Sequence, residues 1–375
     1  MINESSHTQE VALGVVGTSW WVDAMYLPAL AQHPAANLKA ICGRTLTKAE
    51  NVAHRWHIPH VYDSAEKLID SGDVQALVIA TPNHTHFPIA MRALHAGLHV
   101  LCEKPLALDY RQAEQMTTLA EQQGVKTMVP FTYSYMPTAR YLKELIDGGY
   151  IGKPYHLNLR YYTGFGRDTA YNWRFDASRG GAGALGDIGS HFLYLAMWLY
   201  GDIVAVNAQF GAMVPRADRT PVGGGYERSE DTAIVMLSFA SGAQGVLHAS
   251  TVAHEPTPFG QTHHMEFHGS AGTLYSFTDW DTVQRVSGSR HDEATVKELP
   301  IPDHIWANAR RDTVHNTYRD VFRTQPFMAR QFIDAIVADQ PLRPSFRDGL
   351  NVQCVIDAAV LSNDENRQVT LAEIT

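Results

Sequence analysis

At 375 residues the chain is long for one domain and natural for two, each with room for its own core. Hydrophobic residues make up 45% and charged residues 18%, which excludes a disordered chain. Lys+Arg 30 against Asp+Glu 39 leaves a net charge of −9 with no basic run, which argues against nucleic acid or an anionic membrane as the main partner. The polar start, Met1 to Glu10, has no basic-then-apolar signal pattern, and the longest apolar helix-like stretch, Phe192 to Tyr200, is too short to span a bilayer. Cys42, Cys102 and Cys354 are scattered and lack metal spacing, so they read as reduced thiols of a cytoplasmic protein.

The first third alternates strand and helix. Val11–Val16 is a short apolar strand and Trp20–Ala31 the following helix; Leu38–Cys42 and Thr47–His57 repeat the pattern. Val74–Ala80 is a β-branched run ended by Thr81-Pro82, and Pro88–Ala96 is a helix stopped by Gly97. His99–Glu103, Asp109–Gln123 and Thr127–Phe131 complete the series. Short strands joined through helices make right-handed crossovers, so this third is a doubly wound Rossmann sheet, a dinucleotide-binding domain over 1–129. Beyond it, Pro137–Asp147 is an amphipathic helix, and from Tyr155 the pattern turns to period two. Val204–Val214, Thr232–Phe239 and Gln244–Ser250 are long strands with a turn at Ser241-Gly242. Residues 130–375 therefore read as an α+β domain on a mostly antiparallel open sheet, serving substrate binding and oligomerisation.

Four segments carry candidate chemistry. Gly17, Ser19, Trp20 and Trp21 lie at the first strand–helix turn, where glycine lets the backbone approach a pyrophosphate on a helix N-terminus. Only Gly17 fits the G-x-G-x-x-G frame in register; Ser19 and Val22 stand at the other two glycine places. The second strand ends without the carboxylate that binds a ribose 2′-hydroxyl, and Arg44 is placed instead to meet a 2′-phosphate. Thr81, Asn83 and His86 follow the third apolar strand at the ligand-binding carboxyl edge; helix capping is the alternative role for the histidine. Glu103-Lys104-Pro105 ends the next strand, and Asp187 and His191 stand i, i+4 on the helix of Gly186–Gly201, behind Gly180, Gly181 and Gly183.

With ATPNHTHFPIAMRALHAGLHVLCEKPLAL, WRFD, GGAGALGDIGSHFLYLAMWLYG and PSFRDGLNVQCVIDAAVLS on the page, the chain resembles the glucose–fructose oxidoreductase/inositol dehydrogenase/rhizopine catabolism (Gfo/Idh/MocA) family over nearly its whole length. It departs at Ser19 and Val22 in the glycine frame, and at Ser134, where many members have arginine. The resemblance implies that Lys104 is the active-site lysine, with Glu103 near the nicotinamide ribose and a cis Lys104-Pro105 bond. It further implies Asp187 and His191 as the substrate-side pair and Trp173-Arg174 as a cofactor-contacting element.

The resulting expectation is an oxidoreductase using NADP, with NAD possible, that moves a hydride between nicotinamide and a hydroxyl or carbonyl of a sugar, cyclitol or polyol. A homodimer or homotetramer is expected, with no metal. Two rivals stand beside it: an NAD-dependent redox-assisted glycosidase, and a non-catalytic cofactor-binding regulator of the same fold. Tyr155, Tyr161, Tyr162, Phe165 and Tyr171 are either sugar-stacking rings or sheet packing. Alternation puts His264 and His268 on one strand face and His263 on the other.

Overall fold

A computed structural model describes residues 10–375, so most of the polar start discussed above lies outside the described residues. The chain divides into two compact units. The first runs to Leu106 and resumes over Gln112–Pro130 and Val321–Gly349; the second comprises Ala107–Arg111, Phe131–Asp320 and Leu350–Thr375. The boundary expected at 129/130 is a single cut, whereas Val321–Gly349 returns to the first unit.

In the first unit, β1 (Val11–Val16), β2 (Ala36–Cys42), β3 (His60–Tyr62), β4 (Ala76–Ile79), β5 (His99–Cys102) and β6 (Thr127–Met128) form a parallel sheet in the order β3-β2-β1-β4-β5-β6. That order reverses direction between β1 and β4, the point where doubly wound sheets take a dinucleotide. β4 is buried at every position, as a strand covered on both faces requires. The periodicity reading missed β3 and the helix Ala65–Asp70. β3 is a three-residue edge strand beginning on exposed His60, too short to show an apolar period.

The helix after β1 starts at Trp20, but Val22–Tyr26 is a π turn before the α segment Leu27–Ala31. Pro28 has no N–H to give the Ala24 carbonyl, and the Arg323 Nε–H donates to that oxygen at 2.7 Å. Arg330 similarly meets the Ala29 carbonyl at 3.1 Å, and His33 Nε2 lies 2.9 Å from Asp334. The returning segment thus braces this helix.

The second unit carries a nine-stranded sheet. β7 (Pro154–Thr163), β8 (Ile203–Gly211), β9 (Thr232–Phe239), β10 (Gln244–Ser250), β11 (Gln261–Gly269), β12 (Gly272–Thr278), β13 (Gln284–Arg290), β14 (Lys297–Glu298) and β15 (Val369–Thr370) lie in the order β14-β13-β12-β11-β7-β10-β9-β8-β15. All neighbours are antiparallel except β7 and β10. Leu157, Leu159 and Tyr161 of β7 are buried, while His156 and Asn158 face outward. The helix Ser190–Tyr200 lays its rings on the inner face, Phe192 against Tyr161 and Tyr200 against Phe239 and Phe267. The expected strand Val204–Val214 stops at Gly211, because the Met213 and Val214 N–H groups turn to the buried Asp231 carboxylate. Among the described residues no helix is long and apolar enough to cross a membrane.

Candidate active site

The carboxyl ends of β1, β2, β4 and β5 bring the first group of candidates together. Gly17 has φ 129°, and a Cβ there would stand 2.4 Å from the Ala80 carbonyl oxygen at the end of β4. Both the conformation and the close approach exclude a side chain. Its N–H donates to the Cys42 carbonyl at 2.9 Å, which holds the turn against β2. Ser19 caps the following turn, its Oγ 3.4 Å from the Val22 N–H, and Trp20 is exposed at 65%. Arg44 is exposed one residue past Gly43, whose own Cβ would strike Thr18 at 2.6 Å. The positive-φ glycine, the tight β1 and β2 ends and the helix N-terminus make a cradle that fits a pyrophosphate; a dinucleotide bound there supplies the hydride acceptor or donor.

At the end of β4 the Thr85 hydroxyl lies 2.6 Å from Thr81 Oγ1 and 2.7 Å from the Pro82 carbonyl, and Asn83 is buried. His86 is fully buried, with Nε2 2.9 Å from the Thr81 carbonyl and Nδ1 3.0 Å from the Pro105 carbonyl. Burial pushes its pKa down to about 4, so the ring is neutral and donates to one of the two. The N–H-bearing nitrogen is thus spent on backbone, and the other lies against the second carbonyl. With no exposed surface, the ring packs between the Thr81 turn and the Lys104 turn.

Glu103 continues the β4–β5 pairing by one residue, its N–H donating to the Ile79 carbonyl at 2.9 Å. The Lys104-Pro105 bond that follows is cis. The Glu103 carboxylate accepts the Tyr26 hydroxyl at 2.6 Å and the Lys104 N–H at 3.2 Å. Burial pushes its pKa up, and these donors oppose the rise. Tyr26, completely buried in the cofactor helix, went unnoticed in the sequence because it reads there as one more apolar position.

In the second unit the helix carrying the Asp/His pair opens on Gly183 and Ala184 and passes through a π turn, Leu185–Gly189, before the α segment from Ser190. The expected continuous α-helix over Gly186–Gly201 is corrected accordingly. Glu230 caps the start: Oε2 accepts the Gly183 N–H at 2.9 Å and Oε1 the Leu185 N–H at 2.8 Å. Burial raises its pKa to about 7 against these two bonds. A Cβ on Gly183 would lie 2.0 Å from the Glu230 carbonyl oxygen, and one on Gly180 2.6 Å from that of Arg174. The glycine cluster therefore serves close backbone approach. No local motif announces Glu230, since its partners are 45 to 47 residues away.

Asp187 lies on the π turn, paired with Arg174 Nε at 3.2 Å, and the Arg174 guanidinium lies 4.6 Å over the Trp173 ring. His191 is buried beside Tyr133, centroids 4.6 Å apart, and edge-on to Phe131. The Tyr133 and Tyr161 hydroxyls meet at 2.7 Å, and Gln261 hydrogen-bonds both. Burial, reinforced by the Asp187 charge, pushes both phenols up, so they stay protonated. Tyr161 is thus core, Tyr162 binds His248 at 2.6 Å, and Tyr171 donates to Asp176 at 2.9 Å; Tyr155 and Phe165 remain exposed. His263 receives the Trp280 indole N–H at 3.0 Å inside the aromatic cluster, while His264 faces the other side of the sheet. Ser134 is buried with its hydroxyl on the Phe131 carbonyl at 2.8 Å.

The model of an oxidoreductase family with an NAD-binding Rossmann fold matches residues 11–131, and that of the GFO/IDH/MocA C-terminal domain matches residues 139–275. The chain belongs to the GFO/IDH/MocA oxidoreductase family. It is 29% identical over 352 residues to a levoglucosan dehydrogenase of Pseudarthrobacter phenanthrenivorans, covering 87% of each chain. A scyllo-inositol 2-dehydrogenase (NADP(+)) of Bacillus subtilis is 26% identical, over 78% of this chain and 83% of that one. Among solved structures, levoglucosan dehydrogenase in complex with NADH and levoglucosan superposes with a TM-score of 0.85 at 26% identity, covering 96% of this chain and 99% of that one. The chain is therefore an NAD-binding oxidoreductase of this family.

Proposed function

We propose that the chain is an NADP-preferring dehydrogenase that oxidises a secondary hydroxyl of a sugar or cyclitol, or reduces the corresponding carbonyl. The observation that carries this reading is Lys104 at the carboxyl end of β5, beside the dinucleotide cradle at the reversal of strand order. Support for the substrate class comes from relatives named for levoglucosan and scyllo-inositol.

In this reading Lys104 and His191 handle the hydroxyl proton that must leave as hydride leaves the carbon. Asp187, fixed by Arg174, orients the imidazole and a substrate hydroxyl. Neutral Tyr133 packs against the His191 ring and sets its plane. Arg44 meets the 2′-phosphate, since no carboxylate ends β2. The soluble partner is a small polyol, in a cytoplasmic homodimer or homotetramer, with Phe131–Asp320 forming most of the substrate-binding unit.

The test is a spectrophotometric panel of sugars and cyclitols with NAD+ and NADP+. Substrate-dependent absorbance growth at 340 nm, larger with NADP+, is expected. Release of p-nitrophenol from a p-nitrophenyl glycoside without net reduction of cofactor would move the assignment to a redox-assisted glycosidase. Absence of turnover with every substrate, together with tight cofactor binding, would indicate a regulator.

A further inference from the structure

The carboxylate of Glu103 is occupied from within the first unit. Tyr26 Oη donates to Oε1 at 2.6 Å, the Lys104 N–H donates to Oε2 at 3.2 Å, and the Trp21 indole is hydrogen-bonded to the same carboxylate and to the Tyr26 hydroxyl. Trp21 stands edge-on to Tyr26 at 6.2 Å and contacts Phe322 at 6.4 Å. Three donors on one carboxylate therefore tie two places together: the helix that follows Gly17, and the turn on which Lys104 stands. Tyr26 has no exposed surface, so it can touch neither cofactor nor substrate.

We infer that Tyr26 and Glu103 are positioning residues, whose hydrogen bond fixes the backbone of Lys104 relative to the cofactor helix. The argument rests on the reading of Lys104 as the proton-handling residue. The bonds to the half-buried carboxylate are charge-assisted and directional, and rotation of Glu103 would leave the fully buried Tyr26 hydroxyl without its acceptor. The π turn strengthens the case. It spans Val22–Tyr26, so Tyr26 closes the one irregular turn of the helix, and a relaxed α-helical register would rotate the hydroxyl away from Glu103. Cofactor docking on this helix and the attitude of the lysine are thereby set by one set of hydrogen bonds.

The experiment compares Tyr26→Phe, Glu103→Gln and the double variant, each checked for an unchanged circular dichroism spectrum. NADPH affinity is read by calorimetry, and kcat and its pH profile with saturating cofactor. Tyr26→Phe keeps the ring and its packing, so kcat should fall about ten-fold with a displaced pH profile while cofactor Kd moves less than about two-fold. Glu103→Gln should do the same or more, and the double variant should be no worse than Glu103→Gln alone, because both break one unit. Wild-type kcat and pH profile in Tyr26→Phe, or additive losses in the double variant, would overturn the inference. So would a large loss of NADPH affinity in Glu103→Gln that Tyr26→Phe does not share, which would make Glu103 a cofactor ligand. Should Glu103→Gln fail to fold, Tyr26→Phe decides on its own. Lys104→Ala runs alongside: wild-type turnover there would sink the role given to the lysine, and that outcome is distinct from any result on the pair.

Discussion

The two units place their candidate site residues by different means. In the first, Gly17, Arg44, Thr81 and Lys104 each lie within two residues of a strand's carboxyl end, and the parallel sheet itself delivers them to one edge. In the second, Asp187 sits on a π turn whose start is held by Glu230, 45 residues further along the chain, and the preceding Gly183 accommodates foreign backbone. A sheet edge is a local consequence of strand and turn residues. A capped irregular turn is a tertiary product, and its failure should therefore show at a distance.

Four substitutions probe that contrast. The largest effect belongs to Lys104→Ala, which should lower kcat by about 10²- to 10⁴-fold with cofactor affinity almost intact. Steady-state kinetics and cofactor titration check it; near wild-type turnover would remove the lysine from the chemistry. Next, Arg44→Ala should weaken NADPH by about ten- to a hundred-fold and leave NADH binding and kcat alone, the signature of a local contact. Quenching of tryptophan fluorescence by each cofactor measures this, and equal affinities in the wild type would reduce Arg44 to a surface residue.

The second unit should answer differently. Gly183→Ala forces a methyl against the Glu230 carbonyl, where a Cβ would be only 2.0 Å away. A destabilisation of about 1–3 kcal/mol in urea melts should accompany reduced kcat at unchanged NADPH affinity. A variant as stable and active as wild type would show that the glycine is incidental. The smallest effect concerns pH. The Glu230 pKa is raised from 4.5 to about 7 in the folded state, so the native protein holds a proton that the unfolded chain releases between those values. Ionisation of Glu230 thus lowers stability as pH rises through that window, against the opposite drift from His86, whose pKa is depressed to about 4. Glu230→Gln should make the change of Tm from pH 5 to 7 more positive than in wild type; identical slopes would contradict the assignment.

Much of the first unit was legible because its signals are short-range. The apolar runs of β1, β4 and β5, the glycine after β1 and the Glu-Lys-Pro ending all lie within a few residues of what they determine. β3 escaped, being three residues long and half-exposed. His86 is ambiguous in the sequence because a histidine at a ligand-binding edge looks the same whether its ring meets a cofactor or packs between the Thr81 and Pro105 carbonyls. In the second unit the Asp187 and His191 spacing was readable, but the π turn, the Glu230 cap and the Tyr133 ring against His191 depend on pairings across tens of residues. Arg174 shows the same limit: its ion pair with Asp187 leaves no trace in local spacing.

The return of Val321–Gly349 to the first unit bears on how the chain can be made. Arg323 and Ala24 are 299 residues apart, His33 and Asp334 are 301 apart, and the Phe346 N–H reaches the Thr127 hydroxyl across 219. On the ribosome, the six strands of the first sheet emerge long before the residues that brace the helix after β1 and seat β6. Contacts of such separation form late and slowly, and until then the unfinished unit exposes apolar surface to chaperones and proteases. A fragment ending before Val321 would keep every strand of that sheet and still lack the partners of Ala24 and His33, so cutting at the apparent first-domain boundary yields an incomplete nucleotide-binding unit rather than an independent one.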